Sequence, residues 1–131
     1  MLVRSAGRAH TTWEETVQLN STGGLNASSQ LRIASDSDGG TSYVRLEGEF
    51  DLACKEMFKQ RLLEVTAEQP AGVIVDLSGL EFMDSSGLRM VVEAEALCRE
   101  SGIDYGVIAG SGQARRVFDL TGMDDVLPVV D

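Results

Sequence analysis

Val73-Ile74-Val75-Asp76-Leu77-Ser78-Gly79-Leu80-Glu81-Phe82-Met83-Asp84-Ser85-Ser86-Gly87-Leu88 joins a strand to a helix through an acidic turn, and its reading decides the fold. Val73, Ile74 and Val75 are apolar and β-branched, the pattern of a strand covered on both faces, and Asp76 is expected to close it. Beyond the turn, Leu88, Val91, Val92, Leu97 and Cys98 recur at helical spacing with charges between them. This predicts a helix over Ser86 to Glu100 that begins near Ser85. Asp84, Ser85 and Ser86 all qualify as its N-cap, because their side-chain oxygens accept the amide hydrogens that a first turn leaves unpaired. On the plainest reading capping is their whole task and Gly87 only relieves crowding. A sharper reading makes an exposed hydroxyl at this point a phosphorylation target. A phosphoserine brings about −1.5 to −2 charges at pH 7, which a helix N-terminus tolerates and a partner docked over the same acidic turn does not.

Outward from this segment the chain alternates. Leu31 to Ser35 and Thr41 to Glu47 read as strands around Asp36-Ser37-Asp38-Gly39-Gly40, whose glycines suit a tight reversal, so the two should form a hairpin. Leu52 to Ala67 is an amphipathic helix carrying Met57, Phe58, Leu62, Leu63 and Val65, ended by Pro70 and Gly72. Ser101-Gly102 stops the helix that follows Ser85. Tyr105 to Ala109 is then a strand, Gly112 to Leu120 a short helix ended by Gly122, and Val126 to Val130 a fifth candidate strand. Alternating strands and helices predict an α/β fold with a mainly parallel sheet opened by an antiparallel hairpin. Residues 1–30, rich in Ser, Thr, Gly and Asn without a sustained period, are expected to form a flexible arm in which Trp13 is the one candidate anchor, and residues 31–131 to form a single domain.

With 131 residues and 43% apolar content the chain can build one core. Its net charge is −10, and the arm contributes none of it, since Arg4 and Arg8 offset Glu14 and Glu15. So acidic a domain argues against direct binding of nucleic acid or of an anionic membrane, both of which need clustered Lys and Arg; a basic protein partner fits better. No run approaches the roughly 20 apolar residues of a membrane span, and Met1 to Asn20 has no apolar signal core, so a cytoplasmic location is expected. Cys54 and Cys98 lack CxxC spacing and read as two buried thiols; no metal or cofactor is expected.

Enzyme readings find little purchase. Gly110-Ser111-Gly112 follows a strand and opens a helix, where a nucleotide phosphate can sit, but Arg115 stands where a dinucleotide fingerprint wants Gly or Ala. Arg115 and Arg116 read either as phosphate contacts or as surface charges. The one histidine, His10, lies in the arm, so no Ser-His-Asp or Cys-His set can be assembled from the domain.

Four segments, correctly ordered, carry a resemblance. They are Gly48-Glu49-Phe50-Asp51-Leu52-Ala53, Val75 to Leu88, Ala114-Arg115-Arg116-Val117-Phe118-Asp119-Leu120-Thr121-Gly122-Met123 and Asp124-Asp125-Val126-Leu127-Pro128-Val129. Together they make Leu31 to Val130 resemble a STAS domain of the bacterial anti-sigma factor antagonist family. The resemblance implies a STAS-type sheet of four to five strands packed with helices, and a regulator rather than an enzyme. In that family the serine after the aspartate of the Asp-Ser-Ser/Thr-Gly motif receives a phosphate, which maps to Ser85. The implied partners are an anti-sigma factor that is also a serine kinase, and a metal-dependent serine phosphatase that resets the switch. Unphosphorylated protein would hold the anti-sigma factor and free the sigma factor; phosphorylated protein would let go. Asp51, Asp84, Ser86, Gly87 and Arg89 form the expected partner-binding set around Ser85. Arg89 is a departure, since the family often carries glycine there; a cation four residues after Ser85 suits a partner carboxylate or the phosphate itself, and the plainer reading is a solvated surface arginine. The alternative is a non-switching STAS domain that serves as a scaffold or binds a nucleotide or other small ligand.

Overall fold

The computed structural model describes residues 30–130; most of the expected arm, Trp13 included, lies outside them. Strand β1 (Leu31–Asp38) and strand β2 (Thr41–Phe50) form the expected hairpin, paired antiparallel from Leu31↔Gly48 to Asp38↔Thr41. Both strands run further than their apolar patterns suggest, so the reversal shrinks to Gly39-Gly40, with φ of 62° and 90°. Positive φ at both central residues is the hairpin turn whose twist matches that of the strands, and glycine adopts it without strain. Asp36, expected in the turn, is instead a buried strand residue, with its carboxylate 4.0 Å from the Arg45 guanidinium. Gln30, placed in the arm by composition, belongs to the fold: its carbonyl accepts from the Glu49 amide at 3.3 Å.

From β2 the chain passes through a 3-10 turn (Leu52–Cys54) into helix α1 (Lys55–Ala67), then strand β3 (Gly72–Met83), helix α2 (Ser85–Glu100), strand β4 (Asp104–Ile108) and helix α3 (Gln113–Thr121). A second 3-10 turn covers Met123–Asp125. The sheet order is β1-β2-β3-β4, with β2, β3 and β4 parallel, as the alternation of elements requires. Helices α1 and α2 pack against each other, α1 also reaching β1 and α2 reaching β3 and β4, while α3 lies against β3. The core gathers Leu31, Ile33, Val44, Leu46 and Phe50 from the hairpin, Val73, Val75 and Leu77 from β3, Val91 from α2, Val107 from β4 and Phe118 from α3. The Phe50 and Phe58 rings meet edge to face at 5.1 Å, a geometry that aromatic quadrupoles favour.

Strand β3 differs most from expectation. Asp76 does not close it: the strand continues to Met83. Two register shifts against β2, between Arg45 and Glu47 and between Gly48 and Glu49, each place an extra residue on β3. The buried side chains there are Leu77, Leu80 and Met83, three apart instead of two, which is what bulges do to an alternating strand. Glycine is required opposite: Gly48 sits at φ 99°, and a Cβ on it would lie 2.1 Å from the Gln30 carbonyl oxygen. The expected fifth strand reduces to one parallel bridge, Val107↔Val129, because Pro128 between the flanking residues has no amide hydrogen to extend a ladder. No described helix is long and apolar enough to cross a membrane.

Candidate functional site

Strands β2 and β3 run parallel and finish level, Phe50 opposite Met83. Each is followed at once by an aspartate in extended conformation, Asp51 and Asp84. Asp51 Oδ1 accepts the Ala53 amide at 3.1 Å, and Asp84 Oδ1 accepts the amides of Ser86 at 2.9 Å and Gly87 at 3.0 Å. Of the three candidate caps, then, Asp84 caps α2. Two capped helical segments start side by side at the carboxyl ends of parallel strands, the edge at which open α/β sheets place their binding sites.

Ser85 is the first residue of α2 and is exposed. Since Asp84 holds the cap, the Ser85 hydroxyl is left without a hydrogen bond to any described residue. Ser86 beside it is half-buried. Gly87 is buried, and a Cβ there would meet the Phe50 carbonyl oxygen at 2.6 Å and Met83 Cγ at 2.9 Å. Its part in the site is to let α2 start directly against the strand ends, which fixes where Ser85 projects. Arg89 is exposed one turn further on.

An open cleft of about 280 Å³ lies between the two helix starts, lined by Leu52 and Lys55 from one side and by Ser85, Ser86, Arg89, Met90 and Glu93 from the other. It continues into a groove of about 320 Å³ between α1 and α2 through the shared residues Lys55, Met90 and Glu93. The structure thus brings Ser85, Ser86 and Arg89 together in one cleft, with Asp51 and Asp84 at the feet of the two helical segments beside it. Lys55 and Leu52 were absent from the expected set. The one signal for them was the repeated pattern of strand, aspartate and helix at Phe50-Asp51 and Met83-Asp84.

The other candidate positions have structural tasks. Arg115 donates from Nε to the Gly110 carbonyl at 3.0 Å and lies 3.7 Å from the Asp124 carboxylate, so it ties the β4–α3 turn to the turn after α3. Gly110, at φ 74°, packs where a Cβ would fall 2.6 Å from Ser78 Cβ; the glycine is demanded by strand packing, without any phosphate. Cys54 and Cys98 are both buried. Burial, assisted by the Glu95 carboxylate, pushes the Cys98 thiol up to about 11. Among the described residues no group of His, Cys, Asp and Glu is arranged to hold a metal ion.

Comparison with known proteins agrees with this architecture. The chain is 27% identical over 100 residues to the anti-sigma-F factor antagonist RsfB of Mycobacterium tuberculosis, covering 76% of this chain and 81% of that protein. It is 28% identical over 102 residues to an anti-sigma F factor antagonist of Paenibacillus polymyxa, covering 77% and 87%. The crystal structure of an anti-sigma factor antagonist from Mycobacterium paratuberculosis superposes with a TM-score of 0.68 at 28% identity, covering 76% of this chain and 84% of that one. The family model for the STAS domain matches residues 32–131, and with that match spanning the sheet, the helices and the Ser85 turn, the chain belongs to the STAS domain family.

Proposed function

We propose that this protein is an anti-sigma factor antagonist: it binds an anti-sigma factor that is also a serine kinase, and phosphorylation of Ser85 releases it. One observation carries the reading. The Ser85 hydroxyl stands exposed at the mouth of a cleft, with the capping duty that would have engaged it taken by Asp84. In the reaction, Ser85 Oγ attacks the γ-phosphorus of ATP held by the kinase. The Oγ–P bond forms as the bond to the β-phosphate oxygen breaks, ADP leaves, and the hydroxyl proton passes to a base of the kinase. A serine phosphatase reverses the modification by hydrolysis. This chain supplies the acceptor and the docking surface and performs no catalysis itself. The names of its relatives support the antagonist role, and the strongly acidic composition suits a protein partner better than nucleic acid. A cytoplasmic location follows from the proposed partners.

The test is to incubate the protein with the anti-sigma factor kinases of its own genome and Mg-ATP, and to locate added mass by peptide mass spectrometry. One phosphate at Ser85 is expected, none in Ser85→Ala, and at least tenfold weaker binding of the partner by Ser85→Glu, since a buried like-charge contact costs more than about 1.4 kcal/mol. Ser85→Ala modified as readily as the parent, together with unchanged binding by Ser85→Glu, sinks the proposal. Stable binding with no modification would recast the protein as a scaffold.

A further inference from the structure

In a chain of net charge −10 a cation that no carboxylate has claimed is informative. Arg32, Arg45, Arg61, Arg99 and Arg115 each have a carboxylate within 4.0 Å. Lys55, Lys59, Arg89 and Arg116 have none among the described residues, and the first three line the connected cleft and groove between α1 and α2. Lys55 and Arg89 share the cleft with Ser85. Lys55 is the first residue of α1 as Ser85 is the first of α2, and Arg89 lies four residues after Ser85 on the same helix face. Resting on the switch proposed above, we infer that a phosphate on Ser85 is held by a two-helix clamp, Lys55 from α1 and Arg89 from α2.

The chemistry suits the parts. A phosphoserine offers acceptor oxygens and close to two negative charges, the guanidinium meets them with a planar fork, and the ammonium meets them as a point charge. Asp84 at the cap and Glu93 in the cleft oppose a new dianion, so the two cations decide whether it settles against the protein. The clamp gives phosphorylation a double effect on a docked partner. The modification adds negative charge at the contact, and it withdraws the two cations that unmodified protein offers to partner carboxylates.

The experiment installs phosphoserine at position 85 of the full chain during translation and follows its second ionisation by 31P NMR. The parent is compared with Lys55→Gln, Arg89→Gln and the double variant. Both side chains are exposed and ion-paired to no described residue, so the unmodified variants should melt with the parent. A neighbouring cation favours the dianion, so each substitution should raise the phosphate pKa by roughly half a unit and the double variant by about one unit. Added salt should move the parent toward the double variant. Coincident titrations of parent and double variant overturn the clamp, as does a shift on Arg89→Gln alone. Because no kinase takes part, failure here is separable from failure of the switch: an unclamped phosphate can still repel a partner, and a chain that no kinase modifies would still show the shifts.

Discussion

At Gly87 two rules oppose one another. Alanine inside a helix is ordinarily better than glycine by about 1 kcal/mol, yet the Cβ it brings would sit 2.6 Å from the Phe50 carbonyl oxygen and 3.0 Å from Phe50 Cδ2. Backbone cannot swing aside as a side-chain tip can, so the overpacking here belongs in the upper half of the usual range of about 1–3 kcal/mol. The clash wins because its nearest obstacle is the fully buried end of β2. Gly87→Ala should therefore destabilise the protein by about 1–2 kcal/mol, a fall in Tm of roughly 4–16 °C for a domain of this size, measured by thermal or urea unfolding. A neutral or stabilising outcome would mean that α2 can retreat from Phe50, and with it that the position of Ser85 is not fixed by this contact.

The start of α2 confounds two roles, because Asp84 both caps the helix and lends charge to the site. Loss of a cap costs about 1 kcal/mol, while asparagine caps nearly as well as aspartate. Asp84→Ala should accordingly lower stability by about 1 kcal/mol and Asp84→Asn by only a few tenths, read from urea midpoints at constant m. Equal losses in the two variants would show that the cap bonds to Ser86 and Gly87 are not what stabilises this end. At the scale of elements much was legible. The glycine pair and flanking β-formers around it gave the hairpin, and the helical spacing after Ser85 gave α2 to within one residue at its start. Strand β3 was legible only as far as Asp76. Its second half hides because two bulges change the buried spacing from two to three, a period that does not look like a strand, and because Asp76 bonds the amide and hydroxyl of Ser78 at 2.9 and 2.6 Å, as a turn residue would. Lys55 was illegible for a different reason. Its meaning lies in its distance from Ser85, and that depends on the level ends of β2 and β3, which no local pattern records.

Across the whole molecule, the seam that joins α2 to β4 holds two groups that titrate far from neutrality. Tyr105 of β4 donates to the Val91 carbonyl of α2 at 2.9 Å, and burial, with Cys98 and Glu95 beside it, holds its phenol well above 10. Cys98 of α2 is raised from 9.0 to about 11, mainly by burial. Both groups are neutral when protonated, so a raised folded-state pKa means that the unfolded chain releases its protons first. The stabilising contribution is complete below pH 9 and is lost as pH climbs from about 9 toward 11. For Cys98 alone a shift of that size corresponds to at most about 3 kcal/mol by pH 11. The parent should hold its Tm from pH 7 to 9 and then lose several degrees by pH 10.5. Generic repulsion in a chain of net charge −10 acts in the same direction, and the double variant Tyr105→Phe, Cys98→Ala separates the two: it starts lower, having lost a hydrogen bond and a thiol from the packed layer, but its decline above pH 9 should be visibly shallower. Parallel declines for parent and double variant would assign the alkaline loss to net charge and not to the seam between α2 and β4.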